Sequence, residues 1–386
     1  MNALASMGYT LGLVSGVLAI VGNLRGGPWA LGPTIFLIAL CAADWVVRDS
    51  RRPPPDSGDS TPNLILAFHV IVNSLAIASL LFAVWSGRLP RWRVSDATLS
   101  TGLNSGISGI VVAHELIHRR ARGWRIAGVW NLLLVNYAHF FIEHIKGHHR
   151  HVGTRRDPST ARPGENVYHY VARSLPQQFA FALAIEADRL GKRGQARFGL
   201  ANFVVATAIA QILIAAAIGS ILGPRVLSAY LWQGAIAVVL LQMVNYLQHS
   251  GLERPEGSRV AAAHSWQSDR ISSRFLLLEL PRHADHHCHA ARPFHELTSH
   301  DDGPMLPFGL LGTIPVLLVP PLWFALARRA VARAAVCPSQ VRTDSGVSAP
   351  PSPRSPRRPI PRPTAALGDI GGENLREIPR PASESS

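Results

Sequence analysis

Six stretches of this chain supply the roughly 20 apolar residues that a membrane-crossing helix needs: residues 4–24, 29–47, 63–85, 97–113, 198–222 and 226–247. The pattern predicts an all-α, polytopic membrane protein with about six transmembrane helices. The first stretch follows no basic region and shows no small-residue cleavage site, so it reads as a retained anchor rather than a signal peptide. Two more apolar stretches, 126–142 and 305–327, are different. Histidines flank 126–142 on both sides, and a crossing there would put them on opposite faces of the bilayer. That segment is therefore expected to be re-entrant or interfacial and buried against protein. Pro315, Pro320 and Pro321 break the other. From Cys337 onward the chain turns to Pro, Ser and Arg, which bury too little apolar surface to fold. The organisation expected is a membrane-embedded domain over 1–336 and a disordered tail over 337–386.

Charge refines this picture. Only 16% of the 386 residues are charged, and the net charge of +14 is carried by arginine, since Lys146 and Lys192 are the only lysines. The arginines flank apolar segments, which argues against nucleic acid and for anionic lipid or an acidic protein partner. With a cytosolic N-terminus, Arg48, Arg51 and Arg52 follow the second span and Arg119, Arg120, Arg122 and Arg125 follow the fourth, on the inner side. The expectation is a multi-pass protein of the inner (plasma) membrane with its active-site face cytosolic. Arg88, Arg91 and Arg93, after the third span, run against that rule. Cys41, Cys288 and Cys337 are isolated, which fits neither a disulfide framework nor a paired-cysteine metal site.

Histidine carries the chemistry. Of 17, nine fall in four short clusters near span ends. His114 and His118 stand one turn apart on one helix face, His144 and His148 repeat that spacing with His149 beside them, and His283, His286 and His287 form an i, i+3, i+4 set. His249 stands alone at the foot of the sixth span. A lone histidine reads most simply as a satisfied polar group, but one-turn pairs and triples have little structural purpose, and neutral imidazole ligates iron, copper and zinc. One four-coordinate zinc would leave most of them unused; two metals with four or five nitrogens each would use all nine. Glu115, Glu143 and Asp285 adjoin the clusters as partners for the second imidazole nitrogens, or as plain surface charges. His69, inside the third span, fits either a substrate path or a helix–helix hydrogen bond. His139, His151, His169, His264, His289, His295 and His300 lack comparable spacing, with His151 and His264 the readiest to support ligands from behind.

These segments resemble the membrane-bound alkane 1-monooxygenases, within the wider group of membrane fatty-acid desaturases, hydroxylases and xylene monooxygenase. The resemblance rests on HELIHRR at 114–120, HFFIEHIKGHHRHVGTRRDPSTARPGE at 139–165, NYLQHSGL at 245–252 and PRHADHHCHAARPF at 281–294. It implies a cytosolic di-iron site ligated by His114, His118, His144, His148, His149, His249, His283, His286 and His287, with no catalytic residue beyond the ligands. It also implies O₂-dependent terminal hydroxylation of alkanes or related alkyl substrates to primary alcohols. Electrons would come from a rubredoxin served by an NAD(P)H-dependent reductase, and Phe36 would flank the substrate channel. Ser250, Gly153 and Ala284 depart from the family's tyrosine, alanine and serine.

The chain has no Rossmann glycine pattern, flavin site or paired cysteines, so the electron donor is expected to be a separate protein without bound flavin or NAD here. Rubredoxins are generally acidic, which suits docking at Arg119, Arg120, Arg122, Arg150, Arg155 and Arg156. Three other chemistries remain open. The same oxidant could desaturate a fatty acid or attack an alkyl-aromatic. His114–His118 also matches the HExxH pattern of an intramembrane zinc metalloprotease, although that reading leaves seven clustered histidines idle. A metal transporter would place histidines midway along spans rather than at their ends.

Overall fold

The computed structural model describes residues 7–53 and 60–336, with side chains to 331; the tail expected at 337–386 lies outside them. The described residues are helical, with isolated β-bridges only. Helices α1 (Leu11–Arg25), α2 (Gly32–Val46) and α3 (Ser60–Trp85) lead the chain. Gly26 and Gly27, at φ 68° and 59°, allow the turn between the first two. Next comes a central rod: α4 (Val94–Asn104), a π-helical segment (Ser105–Ile110) and α5 (Val111–His118). Helices α6 (Arg122–Leu134) and α7 (Val167–Gly191) precede two further spans, α8 (Phe203–Leu222) and α9 (Pro224–His249). Short helices α10 (Ile271–Leu276), α11 (His283–Cys288) and α12 (Gly309–Leu317) follow, then α13 (Pro320–Val336).

Five helical stretches are long and apolar enough to cross a membrane: Met7–Arg25, Gly27–Val46, Ser60–Trp85, Phe203–Leu222 and Pro224–His249. The fourth predicted span, 97–113, is helical but is not among them. Its polar residues turn into protein instead of lipid. Thr101 bonds Asn23, Asn104 donates to Asn73 at 3.2 Å, and Ser105 donates to Gln233 at 2.8 Å. The central rod is thus wrapped by α1, α3 and α9, whereas α8 buries only Val204 and faces outward. As the proline pattern implied, 305–327 does not form one span: α12 ends at Leu317 and α13 starts at Pro320.

The 126–142 segment folds back on itself. Helix α6 runs inward from Arg122, the chain turns over 135–139 with Asn136 at φ 58°, and 140–151 return toward the end it left. A bend of this kind inside a membrane must satisfy its backbone internally. Gln233 donates to the Leu134 carbonyl at 2.9 Å, Tyr230 to that of Leu133 at 3.3 Å, and the Ala138 N–H donates to Gln211 at 3.1 Å. Gly234 lets the two backbones meet, because a Cβ there would lie 3.0 Å from the Val135 oxygen. Gly234→Val should therefore destabilise the protein by about 1–3 kcal/mol through overpacking. Gly123→Ala, where a Cβ meets nothing within 4 Å, should leave thermal unfolding in detergent unchanged.

Candidate metal centre

Four segments bring the nine clustered histidines to one end of the bundle: the last turn of α5, residues 143–151, the last residue of α9, and α11. The middle segment is not a plain α-helix. Glu143–His148 is π-helical, with i→i+5 bonding. That winding brings His149 to His144, their Nε2 atoms 3.0 Å apart, and leaves His148 to the neighbouring group. His144 and His148 keep their rings stacked, 5.2 Å apart between centroids, as the i, i+4 spacing implied, but they fall in different groups. Helix α11 is divided too: His286 faces one group, while His283 and His287 face the other.

The result is a group of five, His114, His118, His144, His149 and His286, and a group of four, His148, His249, His283 and His287. The groups adjoin, with the His149 and His287 rings 4.6 Å apart between centroids. Within the first, the Nε2 atoms of His118, His144 and His149 form a triangle of 3.0, 3.2 and 3.0 Å, and that of His286 lies 3.1 Å from His149. In the second, the His283 Nε2 lies 3.1 Å from that of His249 and 2.9 Å from that of His287. Hydrogen bonds cannot account for the triangle. Each Nε2 has one in-plane site, holding either a proton or a lone pair, so three mutual contacts cannot all be satisfied. A shared cation can satisfy them: two nitrogens bound at right angles to a metal about 2.1 Å away stand about 3.0 Å apart. Burial, helped by neighbouring imidazoles, also drives the pKa values of His144, His149, His283, His286 and His287 well below the usual histidine range. Their lone pairs are free of protons, as metal ligation requires. The clusters can bind metal ions, and an all-imidazole donor set fits iron.

Outer partners differ from those read in the sequence. Asp157 was missed: it accepts from the His148 Nδ1 at 2.8 Å and is fixed by Thr160 and the Ser159 N–H. Burial alone would lower the His148 pKa, but Asp157 outweighs it and raises the ring's basicity. The residue was visible in the RRDPST run at 155–160, although nothing in its spacing marked it. His249 points its Nδ1 toward the His264 carbonyl at a long 3.5 Å, so His264 contributes through its backbone. Asp285 touches no clustered imidazole. It receives His289, His300, Arg292 and the Thr298 N–H, and these donors outweigh burial to hold its carboxyl down at about 2. Glu143 accepts from Ser159 at 2.6 Å, and Glu115 lies 2.7 Å from Arg119. Paired in this way, Glu115 is poorly placed as the general base of a zinc protease.

A narrow apolar cavity reaches the centre. Its wall includes Gly106, Ile110, Leu240 and Leu311, and it ends on His114, His144 and His283. Gln248 also lines it, and its buried amide nitrogen has no hydrogen-bond partner. Phe36 is half-buried against the core cluster that includes Leu311 but does not line the cavity. His69 bonds Ser108 and the Tyr9 carbonyl, as a helix–helix contact. His139 packs on Tyr137 and the half-buried His151 on Phe181, away from the clusters. Arg120, Arg122, Arg150 and Arg155 are exposed near the histidine end, while Arg156 pairs with Glu256 and Arg119 with Glu115. Removing the carboxylate in Asp157→Ala should weaken metal at the group of four by roughly 10- to 100-fold. Metal titration of purified protein should show one weakened site of two.

With this geometry in view, comparison with known proteins is specific. The fatty acid desaturase family matches residues 89–308, more than half of the chain. Alkane 1-monooxygenase 1 of Pseudomonas aeruginosa is 36% identical over 292 residues, covering 70% of this chain and 75% of the relative. Alkane 1-monooxygenase 2 of the same organism is 32% identical over 317 residues, covering 78% and 82%. The xylene/toluene monooxygenase hydroxylase component of Pseudomonas putida is 28% identical over 316 residues, covering 80% and 84%. With five candidate spans and two buried histidine groups, this integral membrane protein belongs to the fatty acid desaturase family and, within it, to the alkane 1-monooxygenases.

Proposed function

We propose that this protein holds one iron ion in each histidine group and inserts one atom of O₂ into the terminal C–H bond of an alkane, releasing a primary alcohol. The second oxygen atom leaves as water, with two electrons and two protons supplied from outside. One observation carries the reading: the apolar cavity ends on His114, His144 and His283, imidazoles drawn from both groups. An alkyl chain offers no polar handle, so acid–base residues cannot activate it. When bound, the irons supply an oxidant derived from O₂. The chain's own residues do the rest. Ile110, Leu240 and Leu311 exclude water and guide the substrate, and the unpartnered Gln248 amide is the donor available to the alcohol oxygen. The nine clustered histidines are the proposed ligands, and the histidine end is the cytosolic face of the inner membrane.

Substitution of His144, His249 or His286 by Ala should abolish hydroxylation and lower bound iron, measured by elemental analysis beside turnover. Leu240→Phe should remove the longest accepted alkanes while sparing shorter ones, because the Leu240 side chain lines the cavity, packed on Gly106, and a larger ring there would narrow it. Phe36→Ala separates two placements of the chain: a longer substrate range would put the alkyl tail on α2 instead. Whole-cell conversion of alkanes, fatty acids and alkyl-aromatics with product identification tests the reaction itself. A double bond or a benzylic alcohol as main product would overturn it.

The proposed electron donor is a rubredoxin, docked on the exposed guanidinium groups of Arg120, Arg122, Arg150 and Arg155. Charge reversal at Arg120 and Arg155 should slow its reduction of the enzyme several-fold and flatten the salt dependence. Turnover with a small chemical reductant should stay intact in stopped-flow measurements.

A further inference from the structure

The end of the bundle remote from the histidines carries a groove that the chemistry above does not use. It lies between α4 and α9 and is walled by Val94, Ala229, Trp232 and Ile236, with Arg91 and Arg225 at its mouth. Ile236 stands 11 residues beyond Arg225 on α9, so the groove extends about 16 Å along the span from the arginines. No acidic residue lines it, and neither arginine has a carboxylate partner among the described residues. Arg93, nearby, is already neutralised by Asp96 at 2.8 Å. A second observation comes from Thr98, which also lines the groove. It is only 6% exposed, yet its hydroxyl has no hydrogen-bond partner.

We propose that this groove binds one anionic phospholipid. Arg91 and Arg225 hold the phosphate where headgroups lie at the end of a span. Thr98, about 6 Å further along α4 from Val94, offers its hydroxyl at the level of the glycerol ester carbonyls. One acyl chain follows Ala229 and Ile236, with Trp232 beside it about 10 Å along the span from Arg225. The arrangement also accounts for arginines after the third span that the topology rule does not: Arg91 serves a local anion rather than membrane orientation.

Native mass spectrometry of the full chain in mild detergent tests this with palmitoyl-oleoyl phosphatidylglycerol, the matching phosphatidylcholine and inorganic phosphate. The wild type should retain one phosphatidylglycerol at least about tenfold more tightly than phosphatidylcholine. The preference should vanish in Arg91→Gln/Arg225→Gln, and Thr98→Val should loosen both lipids while keeping their order. Arg91→Gln alone, outside the spans, should show a partial loss independent of any effect on folding. Phosphatidylglycerol held by the double variant as tightly as by the wild type, displacement of the lipid by millimolar phosphate, or a change of oligomeric mass in the double variant would each overturn the proposal. The last would mark the groove as an interface between copies of the chain.

Discussion

Nine imidazoles gathered in two groups, seven of them with nitrogens about 3 Å from another's, away from water, are the constraint on which this structure turns. A buried polar atom without a partner costs free energy, and the His118–His144–His149 triangle has no hydrogen-bonding solution. The rest of the protein must therefore keep four separate segments from relaxing apart. Helix α11 shows how this is done, because its six residues are too few to be stable alone. Arg282, immediately before it, is fully buried and donates to the carbonyls of Leu297 and Arg52 at 2.7 and 2.6 Å. Arg274 pairs with Glu279 at 2.6 Å, and Tyr9 donates to the same carboxylate at 2.7 Å. Buried ion pairs are weak sources of stability. Here they fix the start of α11 relative to α1 and the segment after α2.

The membrane interior adds a second requirement. The segment that carries three of the histidines reaches its position through a bend inside the bundle, which would be untenable if its carbonyls faced hydrocarbon. The amides of Gln233 and Gln211 and the hydroxyl of Tyr230 meet that need. The polar rod α4 to α5 provides the surface against which the bend packs, through Asn131 donating to the Gly109 carbonyl at 3.2 Å. Polar residues that made the fourth apolar stretch a poor span are thus the ones that let a re-entrant hairpin exist.

Much of this was legible before any coordinates. Apolar runs located the spans, and the histidine spacing located the elements that meet at the centre, because both are local and periodic. The re-entrant segment was legible by exclusion, since a crossing would have separated the histidines. What could not be read is what depends on tertiary contact or on departure from the α-helical period. Asp157 meets His148 across nine residues of loop and turn, and no spacing rule reports that. Asp285 stands beside the clustered His286 in sequence yet turns to His289 and His300, because adjacent side chains on a helix point in different directions. Phe36 packs against the core cluster that includes Leu311, while the cavity wall is drawn from residues other than Phe36, and no local pattern reports that division.

The π-helical segment between Ile142 and His149 amounts to one extra residue in a helix, and that residue decides which histidine belongs to which group. Rewinding the same residues as a plain α-helix would swing every side chain beyond it by about 100° around the axis. His149 would leave the group of five while each histidine remained in the sequence, so every ligand motif would look intact. In evolutionary terms, positions here other than the ligands and the tightly packed Gly147 can be substituted, but an added residue would turn the ligands apart. Insertions would be purged here even where the residues themselves are replaceable, and the gap pattern among relatives would record the two-centre geometry more faithfully than identity does.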